Sequence, residues 1–281
     1  MPQNIIITKA SGERVPFSTE KLKRSLERSG ASETIINNVI TEVEKNLFEG
    51  ISTKKIYHKA FAMLRKASKP IAAKYKLKQA IMELGPSGYP FEKYIGEILK
   101  QQGFSVKVGE VVKGHCVNHE IDVIAEKGNN HYLIECKYHN TTGIICDVKI
   151  PLYIQARFKD VVQQLDSVPG NGSKFNQGWV VTNTRFSTDA IQYGQCVGLN
   201  LIGWDFPKKG SLREQIDNSM LYPVTCLSTL TKTEKQRLLD KKIVLSKELI
   251  NNTTLLIEIN VRPNRFDAIF KEVNSLCYTK K

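Results

Sequence analysis

His119-Glu120-Ile121-Asp122-Val123-Ile124-Ala125, then Gly128-Asn129, then Tyr132-Leu133-Ile134-Glu135-Cys136-Lys137-Tyr138 is the stretch that decides how this chain is read. Both apolar runs are short and carry β-branched or aromatic residues, and Gly-Asn breaks them, so they read as paired strands. With a two-residue turn at Gly128-Asn129, opposed residues have numbers that sum to 257, a register that a four-residue turn would share. Asp122 is then expected opposite Glu135, and Glu120 opposite Lys137. Opposed side chains share a sheet face with Cβ atoms about 4.5–5.5 Å apart. Two carboxylates that close repel, and one takes up a proton unless a cation lies between them. A structural sheet gains nothing from the pair, whereas a divalent-metal site needs it. Lys137, two residues after Glu135, falls on the same strand face. Acid-x-Lys also occurs at Asp147-Val148-Lys149 and Asp240-Lys241-Lys242, but only Glu135 follows a buried-looking Leu133-Ile134. The plainer alternative is a solvated edge on which Glu135 pairs with Lys137.

A helix is expected over 91–102, with Phe91, Ile95, Ile98 and Leu99 on one side and Gly103 as its stop. Glu92 sits in its first turn, where the helix dipole favours an acid whatever else it does. Gly96, one turn later, leaves room for a close approach. Further strands are expected over 105–112 and 179–182, and helices over 151–165 and 188–196. A short strand over 200–204 completes an α/β pattern. His119 alternates away from the Glu120/Asp122 face and is structural or substrate-lining; Cys136 also points away and reads as core. Gln155, Arg157 and Lys159 lie in the helix after the paired strands, as phosphate contacts or as ordinary solvated positions. The glycine-rich run 170–174 lacks the P-loop spacing and reads as a surface loop.

These residues carry a resemblance. Phe91-Glu92, Leu99, Gly103-Phe104, His119-Glu120-Ile121-Asp122 and Glu135-Cys136-Lys137 resemble the PD-(D/E)xK nuclease superfamily, closest to its Mrr-like restriction endonuclease branch. Trp179-Val180-Val181-Thr182-Asn183, Phe186 and Ala190 are similar to the later strand and helix of that branch, so the match covers about residues 87–206. It implies metal-ligand acids at Asp122 and Glu135, with the Cys136 carbonyl as a further ligand, a catalytic Lys137 and a helix-borne acid at Glu92. Ile121 stands where the superfamily's motif has proline, and no needed atom is lost. The implied cofactor is Mg²⁺ or Mn²⁺.

The N-terminal residues resemble a second family. Ile5-Ile6-Ile7-Thr8-Lys9, Gly12, Val15-Pro16-Phe17, Glu20-Lys21-Leu22, Gly50-Ile51-Ser52-Thr53 and Ala73-Lys74-Tyr75 are similar to an ATP-cone, a small helical nucleotide-binding module with a short β-hairpin. The resemblance implies phosphate contacts from Lys9, Lys21 and Thr53, with Arg14 added from proximity, and ATP or dATP as a regulatory ligand. Ala10-Ser11 replaces the Arg-Asp pair common in that family, which removes one cationic contact. From the residues alone the support is for an anion site in general, and the alternative is a structural cap or a basic platform for nucleic acid that binds no nucleotide.

Composition agrees with a globular chain: 281 residues, 41% hydrophobic, 25% charged. The net charge of +13 points to a polyanionic partner. Residues 1–86 hold 16 basic and 8 acidic side chains, and 87–281 hold 25 and 20. Nine basic residues and no acid lie between Ile51 and Met82, a run that as a rule is a solvated helical face. Six cysteines without metal-finger spacing, no leader-like start and no long apolar stretch lead to a reduced, cytoplasmic protein with no membrane partner.

The turn-rich Gly85-Pro86-Ser87-Gly88-Tyr89-Pro90 is the expected boundary. The expected fold is α/β, α+β overall. A mostly helical ATP-cone (1–86) precedes a restriction-endonuclease-like core with a central mixed sheet (87–220). A small mixed extension follows (221–281), with a helix from a Thr231/Glu234 capping box, a strand over 255–261 and a helix over 265–276. The expected activity is metal-dependent hydrolysis of DNA by an Mg-dependent deoxyribonuclease, with nucleotide binding as its control. A non-cleaving, nucleotide-responsive DNA-binding regulator and a junction- or RNA-directed nuclease are the alternatives. A homo-oligomer is compatible with the sequence, which does not specify it.

Overall fold

The computed structural model describes residues 5–166 and 175–278, so the expected loop over 170–174 lies outside it. The chain forms two compact units, Met1–Ala80 with Tyr222–Lys281, and Ile81–Leu221.

The first unit opens with an antiparallel hairpin of β1 (Ile6–Thr8) and β2 (Arg14–Pro16). Gly12, at φ +83°, supplies the left-handed turn between them. Helices α1 (Thr19–Arg28) and α3 (Thr53–Ala67) start where their caps predict. Ser18 Oγ accepts from Lys21 N and Ser52 Oγ from Lys55 N. Between them α2 (Glu33–Glu44) buries Ile36, Val39 and Val43. Pro70 lies in the first turn of α4 (Lys69–Tyr75), and α5 (Leu77–Met82) follows. Leu22, Leu26, Ile36, Val39, Ile56 and Leu64 form the core.

In the second unit, α6 (Tyr89–Gln101) precedes β3 (Ser105–Lys113), β4 (Asn118–Lys127) and β5 (Asn130–Lys137). The two-residue strand β6 (Ile145–Cys146), helix α7 (Lys149–Asp166), strand β7 (Phe175–Thr182) and the short β8 (Arg185–Phe186) come next. The unit closes with α8 (Thr188–Cys196), β9 (Asn200–Ile202) and α9 (Leu212–Ser219). The sheet order is β3-β4-β5-β7-β9, antiparallel across the first three strands and parallel from β5 onward. This is the expected central mixed sheet. The crossover helices α7 and α8 are what parallel pairing requires.

The β4–β5 turn is the expected one: Lys127 pairs Asn130, Gly128 takes φ +59°, and the register runs to Val123–Ile134. There the ladder ends, so neither expected pair, Asp122 with Glu135 or Glu120 with Lys137, is part of it. Two side chains part the strands: Asp122 Oδ2 accepts the Cys136 amide at 2.7 Å, and Arg157 donates to the Glu120 carbonyl. Glu120 pairs with Val111 of β3 instead, while Lys137 pairs with Thr182 of β7.

Residues 222–278 add α10 (Lys232–Asp240), with its capping box formed, α11 (Thr253–Glu258) and α12 (Phe266–Cys277). The expected strand over 255–261 is therefore corrected to a helix. Leu255, Leu256 and Ile259 are buried while Ile257 is exposed, a helical spacing, and Asn252 caps the turn by accepting from Leu255 N at 3.0 Å. This segment belongs to the first unit. Helix α12 packs on α4, and Thr225 Oγ1 donates to the Ala80 carbonyl at 2.6 Å. Among the described residues no helix is long and apolar enough to cross a membrane.

Candidate active site

Three elements of the second unit converge on one cluster of charge. Helix α6 brings Glu92, β4 brings Asp122, and β5 brings Glu135 and Lys137. Buried Phe91, Ile95, Ile98 and Leu99 turn the apolar side of α6 to the sheet. Gly96 allows the close approach: a Cβ there would meet Val108 and Val106 of β3 at 3.1 and 3.2 Å. The end of β5 is held from β7, because Thr182 Oγ1 donates to the Lys137 carbonyl at 2.8 Å. Buried Asn183 accepts from His139 N at 2.9 Å and donates to His139 O at 2.7 Å.

Burial raises all three acids, and neighbouring carboxylates add to it. Burial, then Asp122, Glu120 and Glu135, push the Glu92 carboxyl up to about 7. Burial raises Asp122, against the Cys136 amide and the Arg157 charge, which lower it. Burial and Asp122 raise Glu135 against Arg157 and Lys137. The cations at hand do not balance the three carboxylates, so the cluster suits an added positive ion. The oxygens that the carboxylates offer are hard donors, which suit a hard cation. Among the described residues no three His, Cys, Asp or Glu side chains form a ready ligand cage. An ion here would keep several waters, as Mg²⁺ does when one or two carboxylates hold it. Cys136 itself is buried, as expected of a core side chain, and burial raises its thiol well above the usual range.

The three residues expected on α7 separate into different positions. Arg157 faces the cluster, donating to Glu135 Oε2 at 2.7 Å and stacking over the Tyr153 ring at 5.3 Å. Gln155 is buried, and its Oε1 has no partner among the described residues. Lys159 is exposed. His119 donates to or accepts from Asp160 at 2.7 Å, and Asp160 also accepts from Cys116 N at 2.8 Å. These bonds hold Asp160 well below the usual carboxylate range, and they make His119 part of a structural clasp. Sequence reasoning missed the Arg157–Glu135 pair, Asn183 and the Thr182 bond. The polar Thr182-Asn183 after an apolar strand was the available signal.

In the first unit, Thr8 makes an isolated parallel bridge to Ser52, the residue that caps α3, so β1 ends near the start of that helix. Lys9 pairs with Glu13 at 2.9 Å and Arg14 with Glu49 at 3.0 Å, all exposed. Lys21, also exposed, lies in the first turn of α1, after Phe17 pairs with Ile5 at the far end of the hairpin from Lys9. Three of the four expected phosphate contacts, Lys9, Arg14 and Lys21, thus lie on the hairpin and the start of the helix that follows it, and Thr53 opens α3.

A solved structure titled protein of unknown function AF1548 matches with 31% identity and a TM-score of 0.56, covering 68% of this chain and 98% of that one. An uncharacterized protein from Archaeoglobus fulgidus is 38% identical over 133 residues, 47% of this chain and 71% of its own length. The AF1548-like C-terminal family profile matches residues 222–277. The chain belongs to the AF1548-like family. An ATP cone domain profile matches residues 5–81, and the Mrr_cat restriction endonuclease profile matches 85–206. An ATP-cone thus precedes a restriction-endonuclease-like domain, and the second domain is nuclease-like. The MspJI restriction endonuclease bound to a 27-mer oligonucleotide overlaps at 15% identity and a TM-score of 0.31, covering 70% of this chain and 39% of its own, too distant to bear on the site.

Proposed function

We propose that the chain is a divalent-metal-dependent deoxyribonuclease whose ATP-cone binds ATP or dATP as a regulator. The observation that carries this reading is the convergence of Glu92 from α6, Asp122 from β4 and Glu135 and Lys137 from β5 on one partly buried cluster, with Asp122 held by the Cys136 amide and Glu135 by Arg157. Asp122, Glu135 and the Cys136 carbonyl would hold Mg²⁺ or Mn²⁺. When bound, the ion polarises the phosphate and lowers the pKa of its water. Asp122, fixed by the Cys136 amide, orients the ligand set, and Glu92 takes a proton when the ion is absent. Lys137, on a backbone locked by Thr182, orients the attacking water and steadies charge that develops on the phosphate. Arg157 holds Glu135 in place, Gln155 is buried on the same helix, and Lys159 is exposed for a backbone phosphate. In the first unit, Lys9 and Thr53 would meet the nucleotide phosphates together, with Lys21 and Arg14 as outer contacts.

Supercoiled plasmid incubated with Mg²⁺ should be nicked by the wild-type chain, and neither by the Asp122→Ala variant nor with chelator present. Duplex DNA bound but left intact by the wild type would favour the non-cleaving regulator instead. The cone is tested separately by calorimetric titration with ATP and dATP. Binding of one or both at millimolar or lower concentration is expected, weakened by Lys9→Ala, and absence of both heats would discard nucleotide control.

A further inference from the structure

The fold concentrates the positive charge. The unit built from Met1–Ala80 and Tyr222–Lys281 holds 27 basic and 13 acidic residues, a net +14. The unit Ile81–Leu221, which carries the candidate active site, holds 14 and 15, a net −1. Binding of a nucleic-acid backbone draws mainly on cations that displace its condensed counterions. The sheet unit has no such excess, and its acidic cluster repels phosphate until a metal ion is bound.

Within the basic unit the charge is ordered on α3. Ile56, Ala60 and Leu64 form its buried face. Lys54, His58, Ala62 and Arg65 are all exposed and lie at i, i+4, i+8 and i+11, a single stripe on the opposite side. Exposed Lys66 flanks the stripe, and exposed Lys69 follows after the break at Ser68. Lys54, Arg65, Lys66 and Lys69 have no carboxylate partner among the described residues, whereas neighbouring Lys59 pairs with Glu42 at 3.7 Å. The helix dipole accounts for Arg65 and Lys66 in the last turn of α3. It does not account for Lys54 and Lys55 in a first turn with no acid, where the dipole disfavours cations. Helices α1, α2, α6, α8, α9 and α10 each carry an acid in that turn. At about 1.5 Å per residue the stripe runs some ~20 Å, long enough to meet several successive phosphates spaced by about 3.4 Å of rise per strand. Small Ala62 at its centre lets a backbone lie close.

We propose that the exposed face of α3 with Lys54, Arg65 and Lys66, together with Lys69 at the start of α4, is a docking surface for the phosphate backbone of duplex DNA. The proposal rests on the reading of the chain as acting on DNA. Beyond nucleotide binding, the ATP-cone then also holds the duplex that the other unit cuts.

The test uses the full chain in chelator, so that binding is read without cleavage, with a labelled duplex followed by anisotropy across a salt series. The variant is Lys54→Gln/Arg65→Gln/Lys66→Gln/Lys69→Gln. The control is Lys232→Gln/Lys241→Gln/Lys247→Gln/Lys271→Gln, which removes equal charge from exposed positions elsewhere in the same unit. For phosphate contacts worth about 0.9 in salt slope each, the stripe variant should lose about 3–4 in slope and at least about tenfold in affinity. The control should stay within about threefold of wild type, and both variants should melt as wild type. Wild-type affinity and slope in the stripe variant, or an equal loss in the control, would overturn the proposal. So would variant-sensitive binding to phosphatidylserine vesicles at least as tight as binding to duplex. Plasmid cleavage in Mg²⁺, run in parallel, separates the two readings: binding through the stripe without any cleavage fails the nuclease alone, and cleavage with stripe-independent binding fails the stripe alone.

Discussion

Lys137→Ala is expected to lower Mg²⁺-dependent DNA cleavage about 10²–10³-fold, the usual cost of removing one donor aimed at charge that develops in the transition state. On the proposed mechanism the loss should fall on kcat, because Lys137 is not among the proposed ligands and its effect would grow as charge builds on the phosphate. The backbone should not follow the side chain. Lys137 pairs with Thr182 of β7, and the Thr182 hydroxyl holds its carbonyl at 2.8 Å. Circular dichroism should therefore show native structure and calorimetry an unchanged affinity for Mg²⁺. Cleavage at near wild-type rate would remove Lys137 from the mechanism, and loss of Mg²⁺ binding would make it structural.

Arg157→Ala should cost stability, and the cost should depend on pH and on metal. Arg157 and Glu135 are 11% and 16% exposed in their side chains and stand 2.7 Å apart. Breaking a buried pair by removing one partner costs about 3–5 kcal/mol. Partial exposure places this pair at the lower end, about 3 kcal/mol in the metal-free protein at pH 8. Burial and Asp122 already raise Glu135, while Arg157 lowers it, so the variant raises it further. A carboxyl raised by folding binds more protons in the native state than in the unfolded one, so stability falls as pH climbs above the unfolded value near about 4.3. Glu92, pushed to about 7, contributes with the same sign up to that pH. The deficit of the variant should therefore be small near pH 4, grow toward pH 8, and shrink when Mg²⁺ replaces the missing cation. Urea unfolding at both pH values, with and without Mg²⁺, measures it. An equal deficit at both would mean that Arg157 stabilises by stacking on Tyr153 and not by charge.

The hairpin at the centre of the site was legible because its signals are local: alternation in both strands and a Gly-Asn turn of fixed length. The splaying beyond Val123–Ile134 was not, since it depends on Arg157, which reaches β4 and β5 from a helix that starts after β6. Glu92 was legible as an acid at a helix start, but its elevation comes from carboxylates on two other strands. Helix α11 shows the usual weakness of short apolar runs, in which Leu255-Leu256-Ile257 fits either period until burial is known. Least legible was the C-terminal segment, whose bond from Thr225 to Ala80 joins residues 145 apart in sequence.

That last feature bears on how the protein folds. A body made from both chain ends has to bring Ala80 and Tyr222 together across the 141 residues of the sheet unit. For a flexible loop of that length, closure costs about 4 kcal/mol in chain entropy, apart from a constant. Once the sheet unit has folded, its own ends are fixed and most of that cost is gone. Each unit then supports the other through the connectivity of the chain. A core substitution in the sheet unit that leaves its chain open should loosen α12 from α4, although it touches neither. Deleting residues 222–281 likewise does more than remove a tail: it strips α4 of the cover that α12 provides.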